Sequence, residues 1–164
     1  MHTSHHVVVA LDPSRLAARR ETGVDHGGNA VEPFADDAGG WALRCCLRDS
    51  HVGERLAIVA WQPFTWYGVY AETGPVVVHV DACDGYDAGV VPPEFEDRRQ
   101  IVRPYTADHR IAYDLIRLVE VEESLTDALA EVFEHDEVES VLVRNVFAGC
   151  MSFEVVRGAH LVSY

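Results

Sequence analysis

Only one stretch of this chain carries a sustained helical period. Over residues 124–135, Leu125, Ala128, Leu129, Val132 and Phe133 fall on one apolar stripe with Asp127, Glu131 and Glu134 outside it. Ser124, three residues before Asp127, resembles the first half of a capping box. The other apolar runs are short, and they either alternate or stop at turn residues: 7–11, 41–47, 55–62, 76–80, 101–105, 111–119, 140–147 and 150–157. Asp12-Pro13 and Gly23 bracket one short N-terminal helix over about residues 13–21. Strands in that number without regular βαβ alternation exclude a doubly wound sheet. The expected fold is α+β: a mainly antiparallel sheet built of hairpins, one long amphipathic helix and one short N-terminal helix.

Three hairpins are expected, joining residues 41–47 to 55–62, 101–105 to 111–119, and 140–147 to 150–157. Strand alternation puts Cys45 on the apolar face with Leu43 and Leu47, and Arg44 and Cys46 on the other. By the same rule Val76, Val78 and Val80 pack inward while Val77, His79 and Asp81 face outward. In the last hairpin, Leu142, Val146, Met151, Phe153 and Val155 share one side, leaving Asn145, Cys150, Ser152 and Glu154 on the other. At 164 residues the chain is expected to form a single domain with one core. Residues 24–40, with Gly27, Gly28, Gly39, Gly40 and Pro33, read as a flexible loop.

Charge narrows the function. There are 27 acidic and 13 basic side chains, and every basic one is arginine. This balance speaks against nucleic acid, whose phosphates need a basic surface. The run Arg98, Arg99, Arg103, Arg110 and Arg117 precedes an acidic stretch at 120–139. The two either neutralise each other or form an arginine patch and an acidic helix face for a basic partner. The apolar run at 7–11 is too short for a signal core or a membrane span, so a cytoplasmic location with no membrane partner is expected. The four cysteines are then expected to be thiols. A homodimer is compatible with this reading.

The stretch from Tyr70 to Tyr86 brackets a valine strand with groups that transfer protons, bind metals or attack carbon. Three chemistries use it. Zinc could take His79 and Cys83, with Cys46 and Cys150. Iron could take the His-x-Asp order of His79 and Asp81 with a downstream histidine such as His160. Without metal, Cys83 or Cys150 would be a nucleophile beside His79, with Glu72, Tyr70 and Arg44 as acid, base or oxyanion partner. No Cys-x-x-Cys pair is present, and each cysteine also reads as a small buried hydrophobe. There is no glycine-rich nucleotide loop, no Gly-x-Ser-x-Gly and no His-Glu-x-x-His, so no nucleotide cofactor is expected.

Leu43-Arg44-Cys45-Cys46-Leu47-Arg48-Asp49 leading to Gly53-Glu54-Arg55-Leu56, then Tyr70-Ala71-Glu72-Thr73-Gly74-Pro75 with His79 and Cys83, and Arg144-Asn145 with Gly149-Cys150, form a pattern over residues 41–157. It resembles the bacterial family of domain-of-unknown-function 1203. The chain departs from that pattern at Leu43 and at Arg144, where the family more often carries cysteine and histidine. The resemblance implies no activity, but it groups Arg44, Cys46, Glu72, His79, Cys83, Asn145 and Cys150. The expected function is a small-molecule enzyme or ligand-binding protein, in the manner of an accessory biosynthetic enzyme. Its pocket would lie on the polar sheet face: His79, Cys83, Glu72 and Cys150 catalytic, Arg44, Cys46, Tyr70, Asn145 and Ser152 binding. The alternatives are an interaction module using the acidic helix and a His/Cys zinc protein.

Overall fold

The computed structural model describes residues 5–158. Its elements, in order, are β1 (His6–Val9), α1 (Pro13–Thr22), β2 (Phe34–Ala35), β3 (Arg55–Trp61), β4 (Gly74–His79), α2 (Pro93–Glu96), β5 (Gln100–Thr106), β6 (Arg117–Val119), α3 (Leu125–Phe133), β7 (Val138–Asn145) and β8 (Met151–Arg157). All pairings between named strands are antiparallel, in a five-stranded sheet of order β1-β8-β7-β5-β6 and a three-stranded sheet of order β2-β3-β4. The fold is therefore mixed α and β with antiparallel sheets and few helices.

The five-stranded sheet is buried on both faces. On one face Val102, Val141, Val143, Phe153 and Val155 meet the α3 stripe of Leu125, Ala128, Leu129, Val132 and Phe133. On the other, Tyr105, Leu142 and Met151 join Leu56, Val59, Trp61, Val76 and Val78 of the small sheet. α3 is shorter than the expected 124–135. It spans Leu125–Phe133, because the Val138 N–H already bonds back to the His135 carbonyl to start β7. Ser124 caps it by accepting from the Asp127 N–H at 3.1 Å, and its hydroxyl donates to Glu96 rather than taking part in a reciprocal box.

Three expectations about strands are corrected. Residues 41–47 are not a strand and do not pair with β3. Only isolated bridges occur there, Ala42 with Asp49 and Leu43 with Val77, and β3 pairs with β4 and β2 instead. The reason lies in the backbone, since Leu47 adopts the left-handed region at φ 52°, which no extended strand accommodates. β5 pairs as a ladder with only the last three residues of the 111–119 run and by an isolated bridge from Tyr105 to Ile111, and a 3₁₀ turn at Tyr113–Leu115 interrupts the run between them. In the β7–β8 hairpin a bulge after Val143 pairs Val143, not Leu142, with Phe153. Leu142 therefore faces the small sheet, opposite Phe153.

The segment 24–40 contains β2 and two turns built on buried aspartates. Asp25 accepts from the backbone N–H groups of Gly27, Asn29 and Ala60, and Asp36 from those of Ala38 and Gly39 and from the Ser50 hydroxyl. These bonds outweigh the desolvation that opposes Asp25 and hold its carboxylate below the usual range.

Candidate metal centre and its surroundings

Cys45, Cys46, His79 and Cys83 converge: their four donor atoms lie within 4.8 Å of one another. They come from three segments. The turn around Leu47 supplies the adjacent thiols, the end of β4 supplies His79, and the irregular chain after it supplies Cys83. Residues 44–46 form a turn and not a strand, so neighbouring side chains need not diverge, and both Cys45 and Cys46 reach His79. The left-handed Leu47 follows the turn, with its side chain in the core at 1% exposure.

Two of the sulfur–nitrogen edges have the length that a tetrahedral zinc would need. His79 Nδ1 lies 3.5 Å from Cys45 Sγ and 3.8 Å from Cys46 Sγ. Bonds of zinc to sulfur and nitrogen imply a sulfur–nitrogen edge of about 3.6 Å. The far side of the ring is fixed by Glu54, whose Oε1 sits 3.1 Å from His79 Nε2 and is itself held by Arg48 at 2.5 Å. A carboxylate on Nε2 selects the tautomer that leaves the Nδ1 lone pair facing the thiols.

The backbone N–H of His79 also reaches Cys45 Sγ at 3.4 Å. Arg20 adds a guanidinium 4.0 Å from Cys83 Sγ and donates to the His79 carbonyl.

The electrostatics follow. The bond with Cys46, and then burial, push the Cys45 thiol up, while the same bond pulls Cys46 below the ordinary thiol range. Burial pushes Cys83 up. Arg48 holds the Glu54 carboxylate far below its usual range. Cys46, His79 and Cys83 open on a cavity of about 590 Å³ also walled by Arg48, Arg55, Asp81 and Asp84.

The residues grouped as one pocket in the sequence divide into two places. Cys46, His79 and Cys83 meet at the centre just described, joined by Cys45, which strand alternation had placed in the core. Cys150 lies elsewhere, with Arg44 Nη2 3.3 Å from its sulfur and Glu72 paired with Arg103 and Arg144 nearby. Asp81 lines the first cavity but pairs with Arg55 at 3.0 Å instead of joining the thiols. Tyr70 bonds Tyr113 through the hydroxyls at 3.3 Å, and Asn145 caps the β7–β8 turn by accepting from Phe147 and Ala148 N–H. Ser152 is buried against Gln100, and His160 lies outside the described residues.

Sequence reasoning missed Cys45, Glu54, Arg48 and Arg20 at the centre. The signal in the sequence is the adjacent pair Cys45-Cys46 with a carboxylate eight residues on from Cys46, which a strand over 41–47 does not bring together. The arginines at 98–117 meet carboxylates within the chain: Arg98 with Asp49, Arg99 with Glu120, Arg110 with Asp108, and Arg117 with Glu123 and Glu131.

Residues 40–157 match the model of the family described as protein of unknown function (DUF1203), and the chain belongs to that family. No curated protein and no solved structure matches it. Among the described residues, no helix is long and apolar enough to cross a membrane.

Proposed function

We propose that the protein binds zinc in a closed Cys₃His site made of Cys45, Cys46, Cys83 and His79, and that this metal forms one wall of a small-molecule pocket. The observation that carries the reading is the convergence of four soft donors around a histidine whose other nitrogen is held by a carboxylate. Four protein ligands make a structural centre, and the ion ties the turn at 42–49 and the chain after β4 to the small sheet. Arg48, Arg55, Asp81 and Asp84 then supply the charged lining that would orient a ligand in the adjoining cavity. Arg20 and Arg48 offset the negative charge that three thiolates leave on a divalent ion.

The test is element analysis of protein purified without a histidine tag, repeated on Cys83→Ser and His79→Ala. The expected result is one equivalent of zinc in the parent and loss of most of it in both variants. Cobalt substitution should give thiolate charge-transfer absorption and the intense visible bands of a tetrahedral ion. Less than about a tenth of an equivalent after exposure to zinc removes the reading.

A second reading rests on the order Cys46, His79, Glu54, in which a thiol, a base and an orienting carboxylate line up at the cavity wall. Here Cys46 is a nucleophile of a metal-free enzyme. If zinc is absent and Cys46 is the cysteine alkylated fastest, with that rate lost in His79→Ala, this reading takes the place of the first.

A further inference from the structure

Folding buries two of the described arginines, Arg44 at 6% exposure and Arg144 at 8%, and both lie at the β7–β8 turn. Among the described residues Arg44 has no ion pair, and Arg144 shares its one carboxylate partner. Arg44 donates to the carbonyls of Ala42 and Met151 and to Cys150 Sγ, and reaches no carboxylate. Arg144 bonds the Gly149 carbonyl and Glu72, and Glu72 is shared with Arg103. Two guanidinium groups therefore share the Glu72 carboxylate and a third, that of Arg44, has none, in a chain whose net charge is −14. The Arg144 Nε–H is buried with no acceptor among the described residues.

These groups surround a cavity of about 170 Å³, walled by Glu72, Gly74, Pro75, Arg144, Gly149 and Cys150, with Arg44 immediately behind the Cys150 sulfur. A Cβ built on Gly74 or Gly149 would meet nothing within 4 Å, so the space beside both backbones is open. A guanidinium carries five N–H donors, and Arg144 spends two of them on partners among the described residues. Buried cations short of anions, with donors unspent at a cavity wall, are the environment that recognises a planar or tetrahedral oxyanion.

We propose that this cavity binds a small oxyanion, a carboxylate or a phosphate, on Arg144 and in the field of Arg44, with the Cys150 thiol within reach of the bound molecule. The Glu72 carboxylate, 43% exposed, is the group such an anion displaces from Arg144. The site is separate from the metal centre. Arg44 and Cys45 are neighbours in sequence, but Arg44 turns to the β7–β8 turn and Cys45 to His79.

The test compares alkylation of Cys150 in the full chain by iodoacetate and by iodoacetamide, read from its peptide by mass spectrometry. In either reaction the sulfur–carbon bond forms as the carbon–iodine bond breaks, iodide leaves with the electron pair, and the thiol proton goes to solvent. The ratio of the two rates at one thiol cancels its own reactivity and reports the cations around it. Relative to glutathione, the expected ratio is raised about fivefold or more. Arg144→Gln should lower it at least about twofold toward the glutathione value, the remainder being due to Arg44. Glu72→Gln, a change at an exposed side chain, should raise it further and keeps the test open if Arg144→Gln fails to fold. Inorganic phosphate and acetate should each slow the reaction with iodoacetate, and the more effective one identifies the source of the oxyanion. A parent ratio at or below that of glutathione, or a Cys150 that neither reagent modifies, overturns the proposal.

Discussion

Glu154 is a carboxyl in a place that does not favour its charge. It projects from β8 into a cavity of about 280 Å³ walled by Trp61, Tyr86, Met151 and Arg15, and among the described residues no hydrogen bond reaches it. Desolvation pushes its pKa up to about 7, with Arg15 opposing. Between the ordinary value of 4.5 and 7 the folded chain keeps a proton that the unfolded chain has released. Its contribution to stability therefore falls as pH rises through that window. Above it, the cost is on the order of 3 kcal/mol. Glu154→Gln should be more stable than the parent at pH 8 by about 1–3 kcal/mol and close to it at pH 5, measured by urea unfolding at both. A gap that shrinks with rising pH would contradict the assignment. The sequence put Glu154 on the polar side of its strand, but not that this side is covered by α1 and the small sheet. Cys45 lies in the core at 3% exposure, as the alternation predicts, yet its sulfur also meets His79. Neighbours on a strand diverge, but residues 44–46 form a turn, so Cys45 and Cys46 both reach the imidazole. The turn is followed by a left-handed Leu47, a conformation rare for leucine, so no propensity announces it.

Elements whose period is long were legible, and those defined by a bulge or a turn were not. α1, α3, β4 and the β7–β8 hairpin lie where patterning puts them: burial on one face gives α3 its period, and β4, β7 and β8, buried on both faces, read as apolar runs closed by turn residues. The pairing of β3 with β4 instead of residues 41–47 was not legible, since two apolar strands carry no label for their partner. The β7–β8 bulge exchanges Leu142 for Val143 opposite Phe153, and one extra residue leaves no trace in an alternating pattern. The start of α3 is held by more than its own cap. Ser124 accepts from Asp127 N–H and donates to Glu96, while Glu96 also accepts from the Thr126 N–H and hydroxyl. Burial pushes the Glu96 carboxyl up, but these bonds outweigh it and hold it below the usual range. Ser124→Ala removes the cap and one donor to that carboxylate, and should cost about 1–2 kcal/mol in urea unfolding at neutral pH. Thr126→Val, which leaves the Thr126 N–H bond intact, should cost less, and equal losses would show that the cap has no special weight.

At the scale of the whole molecule, order is unevenly distributed. The five-stranded sheet has apolar cover on both faces, whereas residues 80–92 form no strand or helix and the turn at 41–49 makes only isolated bridges. The proposed metal centre lies where these two irregular segments meet the small sheet, so its binding energy would act there and not on α3 or β7. A ligand that binds only the folded chain adds about 4 kcal/mol when present at a thousand times its dissociation constant. For a chain of this size that corresponds to about 10 °C in melting temperature. Removing zinc with a chelator should therefore lower the melting temperature by roughly that amount. Amide exchange should locate the loss, rising at 41–49 and 80–92 while β5, β7 and β8 stay protected at temperatures below the melt. Cys83→Ser should reproduce both effects without chelator and show no further response to it. Exchange that rises evenly over the five-stranded sheet would mean that the ion supports the entire fold. No change at all, in protein first shown to contain zinc, would mean that the ion binds a centre already rigid without it, and the staple would have to be abandoned even though the metal site stood.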